Sequence, residues 1–176
     1  MHQVEQKLKQ VPPKSVIMFE ASSEQDQMKL IADFLRARKN DGGMYVSSIR
    51  PANDLIEKLL TYDVDLREAV KAGRICIIDL VSKSVGASEV KGGIYVSSPS
   101  ELSATQMAIE KAAKSLDDKA GGRTWLLVDS ISTLLVFNSP GAVLHFMHFL
   151  IGRLRVLQFD GAIFTVEGSV NERTLL

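Results

Sequence analysis

The feature that most constrains this chain is the alternation of short apolar runs with segments of helical period. VIMFE, MYVSS, RICIIDL, IYVSS, TWLLVD and GAIFTVE are separated by stretches in which apolar residues recur every three or four positions. That order is expected of a mostly parallel sheet covered by helices on both faces, because parallel strands need a crossover between them. Behind VIMFE, residues Met28, Leu30, Ile31, Phe34 and Leu35 keep helical spacing, while Lys29, Asp33, Arg36 and Lys39 fill the opposite side. The glycines of NDGG are read as the close of that helix. Further helical turns are predicted over 52–60 and 66–72, with Gly73 stopping the second, and SKSVGASEVKGG is read as a loop. A helix follows Pro99 and Ser100 with Leu102, Ile109, Ala112, Ala113 and Leu116 on one face, and KAGG ends it. From about 142 to 158 a last helix carries His145, His148, Gly152 and Arg155 along one stripe. The pattern predicts about five strands, with Val16–Glu20 and Thr124–Asp129 among the central ones because their runs are nearly all apolar.

Composition narrows the function classes. Lys and Arg total 21 and Asp and Glu total 21, so no net field draws the chain to nucleic acid or to an anionic membrane. No run approaches the ~20 apolar residues of a membrane span, and the amino terminus has no signal-peptide core, so a cytoplasmic protein is expected. The single cysteine, Cys76, sits inside the apolar run ICIIDLV and is read as a buried structural thiol. At 176 residues, with no linker or low-complexity segment, one domain over 1–176 is expected, with 1–14 as an amino-terminal extension. GGMYVSS at 42–48 returns as GGIYVSS at 92–98, either because glycine turn, β-branched strand and serine exit recur wherever a strand feeds a loop or as the trace of a degenerate duplication.

The element order, with GGMYVSS, RICIIDL, TWLLVDSIS and GRLRVLQFDGAIFTVEGS, resembles the KaiC-like branch of the RecA superfamily of P-loop ATPases from about Val16 onward. The resemblance implies a three-layer α/β architecture, ATP and magnesium as cofactors, and assembly by subunit packing. LLVDSIS resembles the Walker B strand and its following serine, Asp129 and Ser130, and the resemblance puts Asp129 where magnesium is bound through water. The same resemblance requires G-x-x-x-x-G-K-[ST] after the first strand, a loop whose amides, lysine and hydroxyl hold phosphate and magnesium. This chain has ASSEQDQM there, comprising Ala21, Ser22, Ser23, Glu24, Gln25, Asp26, Gln27 and Met28. Ala21 and Asp26 stand at the glycine positions, Gln27 at the lysine position and Met28 at the hydroxyl position.

Each replacement has a physical consequence. Ala21 and Asp26 remove easy access to positive φ, Gln27 is uncharged, and a Met28 thioether is a poor ligand for a hard cation. Glu24 and Asp26 put two carboxylates where an anion would sit; like unit charges at ~4 Å repel by about 4 kcal/mol at an effective dielectric of about 20. Ser23 followed by Asp26 is instead close to a capping box. After the second strand, where the resemblance calls for acidic residues, stand Ser47, Ser48, Ile49 and Arg50.

The sequence therefore predicts a non-catalytic domain, a pseudo-ATPase kept as a scaffold for a protein partner or self-association, with no cofactor, no metal and no catalytic residues. Two alternatives stand beside it: ATP binding through other contacts, using Asp129 and a hydroxyl of Ser22, Ser23 or Ser130, and a RecA-like nucleic-acid binder. Asp129 is read as capping the turn that follows it, and Asp79 has no better claim to chemistry. His145 and His148 offer two neutral ligands at most, so an exposed polar stripe is expected. Arg153 and Arg155 are read either as partners of acids or as part of a subunit boundary. RecA-like cores continue past the strand matching GAIFTVE, whereas here only SVNERTLL remains, so an incomplete sheet edge open to another chain is expected.

Overall fold

A computed structural model describes residues 3–117 and 123–168, with the side chains of residues 3 and 117 outside the description. The chain runs α1 (Gln3–Gln10), β1 (Val16–Ala21), α2 (Glu24–Ala37), β2 (Gly42–Ser47), α3 (Ala52–Leu60), α4 (Arg67–Lys71) and β3 (Ile75–Asp79). It continues through α5 (Ser82–Val85), β4 (Ile94–Tyr95), α6 (Leu102–Asp117), β5 (Thr124–Val128), α7 (Ile131–Phe137), α8 (Pro140–Leu157) and β6 (Asp160–Val166). All strands are parallel, in the order β1-β6-β5-β2-β3-β4.

Two apolar clusters sandwich the sheet. On one face Tyr45, Ile77, Trp125, Leu127 and Phe164 meet Met28, Ile31 and Phe34 of α2 and Leu55 and Leu59 of α3. On the other, Met44, Val46, Ile78, Leu126 and Val128 meet Ile109 and Ala112 of α6 and Phe146 and Leu150 of α8. Alternate strand residues feed opposite clusters, as the pleat requires, and both faces are covered, which explains why the central runs read as continuously apolar.

Among the described residues the sheet has six strands where about five are expected, and β1 is not central. It pairs, among the described residues, with β6 alone and ends the sheet. Its apolar character has another origin: Ile17 and Phe19 face the α2 side, with Phe19 stacked on Phe164 at a 4.7 Å centroid distance, and Val16 packs on the α8 side. The strand centre, Met18, is 56% exposed. Thr124–Val128 does lie in the interior, between β6 and β2.

The glycines of NDGG do not cap α2. The helix ends at Arg38, and Gly42 and Gly43 open β2. Gly43 is required for packing: a Cβ there would lie 2.1 Å from Cε2 of Trp125, whose indole crosses the strand. We expect Gly43→Ala to cost about 2 kcal/mol, because Trp125 is fully buried and can shift only by disturbing Phe34, against whose ring it stands edge-on. Urea unfolding measures this; a midpoint unchanged from the native chain would refute the packing argument.

Three smaller differences concern loops. Ser82–Val85 forms one helical turn inside the segment read as loop, because Asp79 accepts from the main-chain N–H groups of Val81 and Ser82, both at 2.8 Å. IYVSS contributes only Ile94 and Tyr95 to the sheet. The amino-terminal extension is partly helical, with Val4 and Leu8 of α1 buried in the α2-side core. KAGG falls outside the described residues. No helix among the described residues is long and apolar enough to cross a membrane.

Candidate functional site

In parallel sheets with helices on both faces, ligand crevices form beyond the carboxyl ends of the strands. Here that end gathers the loop between β1 and α2, the exit of β2 and the exit of β5, and the residues singled out in sequence meet there.

The loop after β1 is closed by its own side chains. Ser23 is the N-cap of α2 and its hydroxyl accepts from the Asp26 N–H at 3.1 Å. Asp26 reaches back: its carboxylate accepts from the Ser22 hydroxyl at 3.0 Å and from the Ser22 N–H at 3.3 Å. The reciprocal pattern is a capping box with its return bond made one residue earlier than usual. Ser22, Ser23, Glu24 and Gln25 are exposed, Asp26 is half-buried, and Ala21, Gln27 and Met28 are buried. Met28 is part of the α2-side core.

Gln27, at 2% exposure, turns inward, and its side-chain amide donates to the main-chain carbonyl of Asp129. Its Oε1 has no hydrogen-bond partner among the described residues. The loop after the first strand is thus tied to the exit of β5 across the intervening β6.

Asp129 is buried immediately after β5. Its Oδ1 accepts from the Ser48 N–H at 2.9 Å and from the Ser48 hydroxyl at 2.7 Å, across the junction with β2. It does not cap the following turn; Ser130 does that, accepting from the Thr133 N–H at 3.0 Å as N-cap of α7. Burial pushes the Asp129 carboxyl up to about 6, opposed by the Ser48 hydrogen bonds and by the positive charge of Arg50. The Tyr45 hydroxyl is buried near Asp129 without hydrogen-bond geometry to any described group, and burial followed by the Asp129 charge holds its pKa well above 10. The Nε of half-buried Arg50 is likewise buried and without a hydrogen-bond partner.

Sequence reasoning singled out Asp129, Ser130 and the loop, and placed Ser48 and Arg50 only as residues standing where acids were wanted. It missed Tyr45. The β2–β5 pairing, with Val46 opposite Val128, is the physical cause of their meeting, and no local pattern in the sequence encodes that adjacency.

The other candidates lie elsewhere. Asp79 holds four donors, adding the Ala52 N–H at 2.7 Å and the Ser82 hydroxyl at 2.6 Å, and so anchors the starts of α3 and α5. Cys76 is free and buried, its thiol pushed up to about 11 by burial. His145, His148 and Arg155 are exposed on α8, and no group of three or more His, Cys, Asp or Glu residues is arranged for a metal among the described residues. Arg153 pairs with both carboxylate oxygens of Glu110, the NH2 contact at 2.8 Å, and fastens α8 to α6.

Comparison with solved structures supports the topology. An uncharacterised protein of Pyrococcus horikoshii, solved in complex with an unknown peptide, superposes with a TM-score of 0.74 at 16% identity over 98% of this chain and 76% of its own. A KaiC-like protein of Pyrococcus horikoshii OT3 superposes with a TM-score of 0.63 at 16% identity, over 88% of this chain and 62% of its own. At such identity the likeness speaks for the fold. No curated protein matches the chain. The family model described as "ATPase: KaiC" matches residues 31–175, most of the sequence, beginning three residues beyond the loop window. With the parallel six-stranded sheet and an aspartate at the exit of its interior strand β5, the chain belongs to the KaiC ATPase family.

Proposed function

We propose that this chain is a non-catalytic KaiC-like domain that retains the ATPase sheet as a scaffold for protein association. The observation that carries the proposal is Gln27. At the position where the family places a phosphate-binding lysine, a neutral side chain is buried and spent on the Asp129 carbonyl. Phosphoryl transfer rests on positioning and charge stabilisation, and this loop offers neither a cation nor a free anion cradle.

The residues present do not fit ATP with magnesium. A thioether at Met28 is buried in the core where a hydroxyl would ligate the metal. Glu24 and Asp26 occupy the helix start that would otherwise favour phosphate. The hydroxyls of Ser22 and Ser130 already serve the loop and α7. Two further observations support the reading: the family match begins only at residue 31, and a neighbour of the same fold was solved with a peptide bound.

The test is calorimetric titration with millimolar Mg-ATP beside a phosphate-release assay. We expect a dissociation constant above about 1 mM and no release above background, since the usual loop contributions are absent together. Micromolar binding that weakens in Asp129→Asn would reverse the conclusion and establish an unusual nucleotide site.

A further inference from the structure

The two ends of the sheet are unlike. β4 offers two residues, a blunt edge, whereas β1 offers six. Natural edges are protected by brevity, charge, proline or cover. β1 has a single charge, Glu20, near its end, and at its centre stands exposed Met18. Its main-chain direction follows from its partner. The Ser15 carbonyl accepts from the Gly161 N–H at 2.9 Å and the Ala21 carbonyl from the Glu167 N–H at 2.7 Å, so odd-numbered residues turn their main-chain groups toward β6. The alternate residues Val16, Met18 and Glu20 then direct N–H and C=O to the open side, where no strand pairs among the described residues.

We propose that this edge pairs with the β1 edge of a second copy, antiparallel about a two-fold axis, joining two six-stranded sheets into one. The inference deepens the association role proposed above and rests on it. A register centred on Ile17 sets Val16 opposite the partner's Met18, both with main-chain groups turned outward, and makes roughly four hydrogen bonds. The same register brings the partner's Glu20 to the end of the edge where exposed Lys14 stands in the turn just before β1, so the edge is complementary to itself in charge, as a two-fold interface demands. Pairing of β1 with a second copy's β4 is disfavoured because two residues cannot match six. The two-fold keeps like faces together. The partner's Ile17 therefore faces the groove of about 920 Å³ that α1 and α2 wall beside β1, where Val4, Leu8, Phe19 and Leu30 line it. With 21 acidic and 21 basic residues, no net charge drives copies apart.

Sedimentation equilibrium on the full chain, from about 1 to about 200 μM, tests this. The native chain is expected to form a reversible dimer. Met18→Lys, which places a charge at the centre of the edge, is expected to raise the dimer dissociation constant roughly tenfold or more. Glu20→Lys is expected to weaken it in a salt-dependent way, and adding Lys14→Glu to that variant to restore it, which fixes the register. Thermal unfolding of each variant confirms that the fold is kept. A chain that stays monomeric at the top concentration overturns the proposal. So does a dimer indifferent to all three variants. A monomer that still ignores Mg-ATP sinks the edge and leaves the non-catalytic reading intact; a dimer that binds Mg-ATP does the reverse.

Discussion

Asp129→Asn is expected to stabilise the protein at pH 8 by up to about 3 kcal/mol and to abolish a loss of stability that the native chain shows as pH rises from about 4 to about 6. The carboxyl titrates near 3.8 when unfolded and near 6 when folded, because burial disfavours its charge. Between those values the folded state holds more protons than the unfolded state, so stability falls as pH rises. That is opposite in sign to the usual carboxylate held by a salt bridge. Above about pH 6 the cost is fully present and no longer changes. The amide oxygen of Asn can still accept from the Ser48 N–H and hydroxyl, which the native Oδ1 receives at 2.9 and 2.7 Å. Half-buried Arg50 keeps access to water, so losing its negative neighbour does not strand it. Urea unfolding of both chains from pH 4 to 8 gives the difference directly, and other titrating groups cancel in it. Parallel stability profiles would show that Ser48 and Arg50 compensate the buried charge.

Most of the sheet could be read from the sequence because burial on both faces writes itself as continuous apolar runs. Residues 125–128 and 75–78 are all buried and apolar, and each run is followed directly by an aspartate, Asp129 or Asp79. The same rule failed at β1. VIMFE is as apolar as an interior strand, yet its residues are only half-covered, because an edge strand can pack one face on Phe164 and leave the other side open. Strand order is set by crossovers and not by local composition. The glycines of NDGG misled for a related reason: Gly43 serves Trp125, 82 positions along the chain, through an adjacency no window contains.

The candidate site was legible in part. The loop after β1 announced its capping box through Ser23 and Asp26, a local pattern, and the structure adds that Asp26 also holds Ser22. Gln27 read as the absence of a cation; that its amide joins the Asp129 carbonyl could not be seen, since it depends on the start of α2 reaching the exit of β5 across β6. Ser48 carried no signal of its own. Once the β2–β5 pairing is fixed with Val46 opposite Val128, Asp129 falls level with Ser47 and within reach of Ser48, whose N–H and hydroxyl meet its carboxylate there.

If the loop alone closes the site, rebuilding it should open it. A chain carrying Ala21→Gly, Asp26→Gly, Gln27→Lys and Met28→Thr is expected to bind Mg-ATP at least about 100-fold more tightly than the native chain, without hydrolysing it. The glycines restore the backbone freedom a phosphate-wrapping turn uses, and the lysine supplies the cation. Threonine at position 28 returns a hydroxyl, while the loss of Asp26 removes one of two repelling carboxylates. Binding and turnover should separate because the exit of β2 is unchanged: Ser47, Ser48, Ile49 and Arg50 include no group able to take a proton from an attacking water. The loop must give up the Asp26 bonds to Ser22 and the Gln27 bond to Asp129, so a lower unfolding midpoint is expected alongside the gain. Calorimetry with Mg-ATP and with Mg-ADP reads the affinity, and far-ultraviolet dichroism confirms the fold. A folded variant with no gain would place the closure beyond the loop, at Arg50 and Tyr45, and Arg50→Ala added to the four changes would then be the decisive comparison.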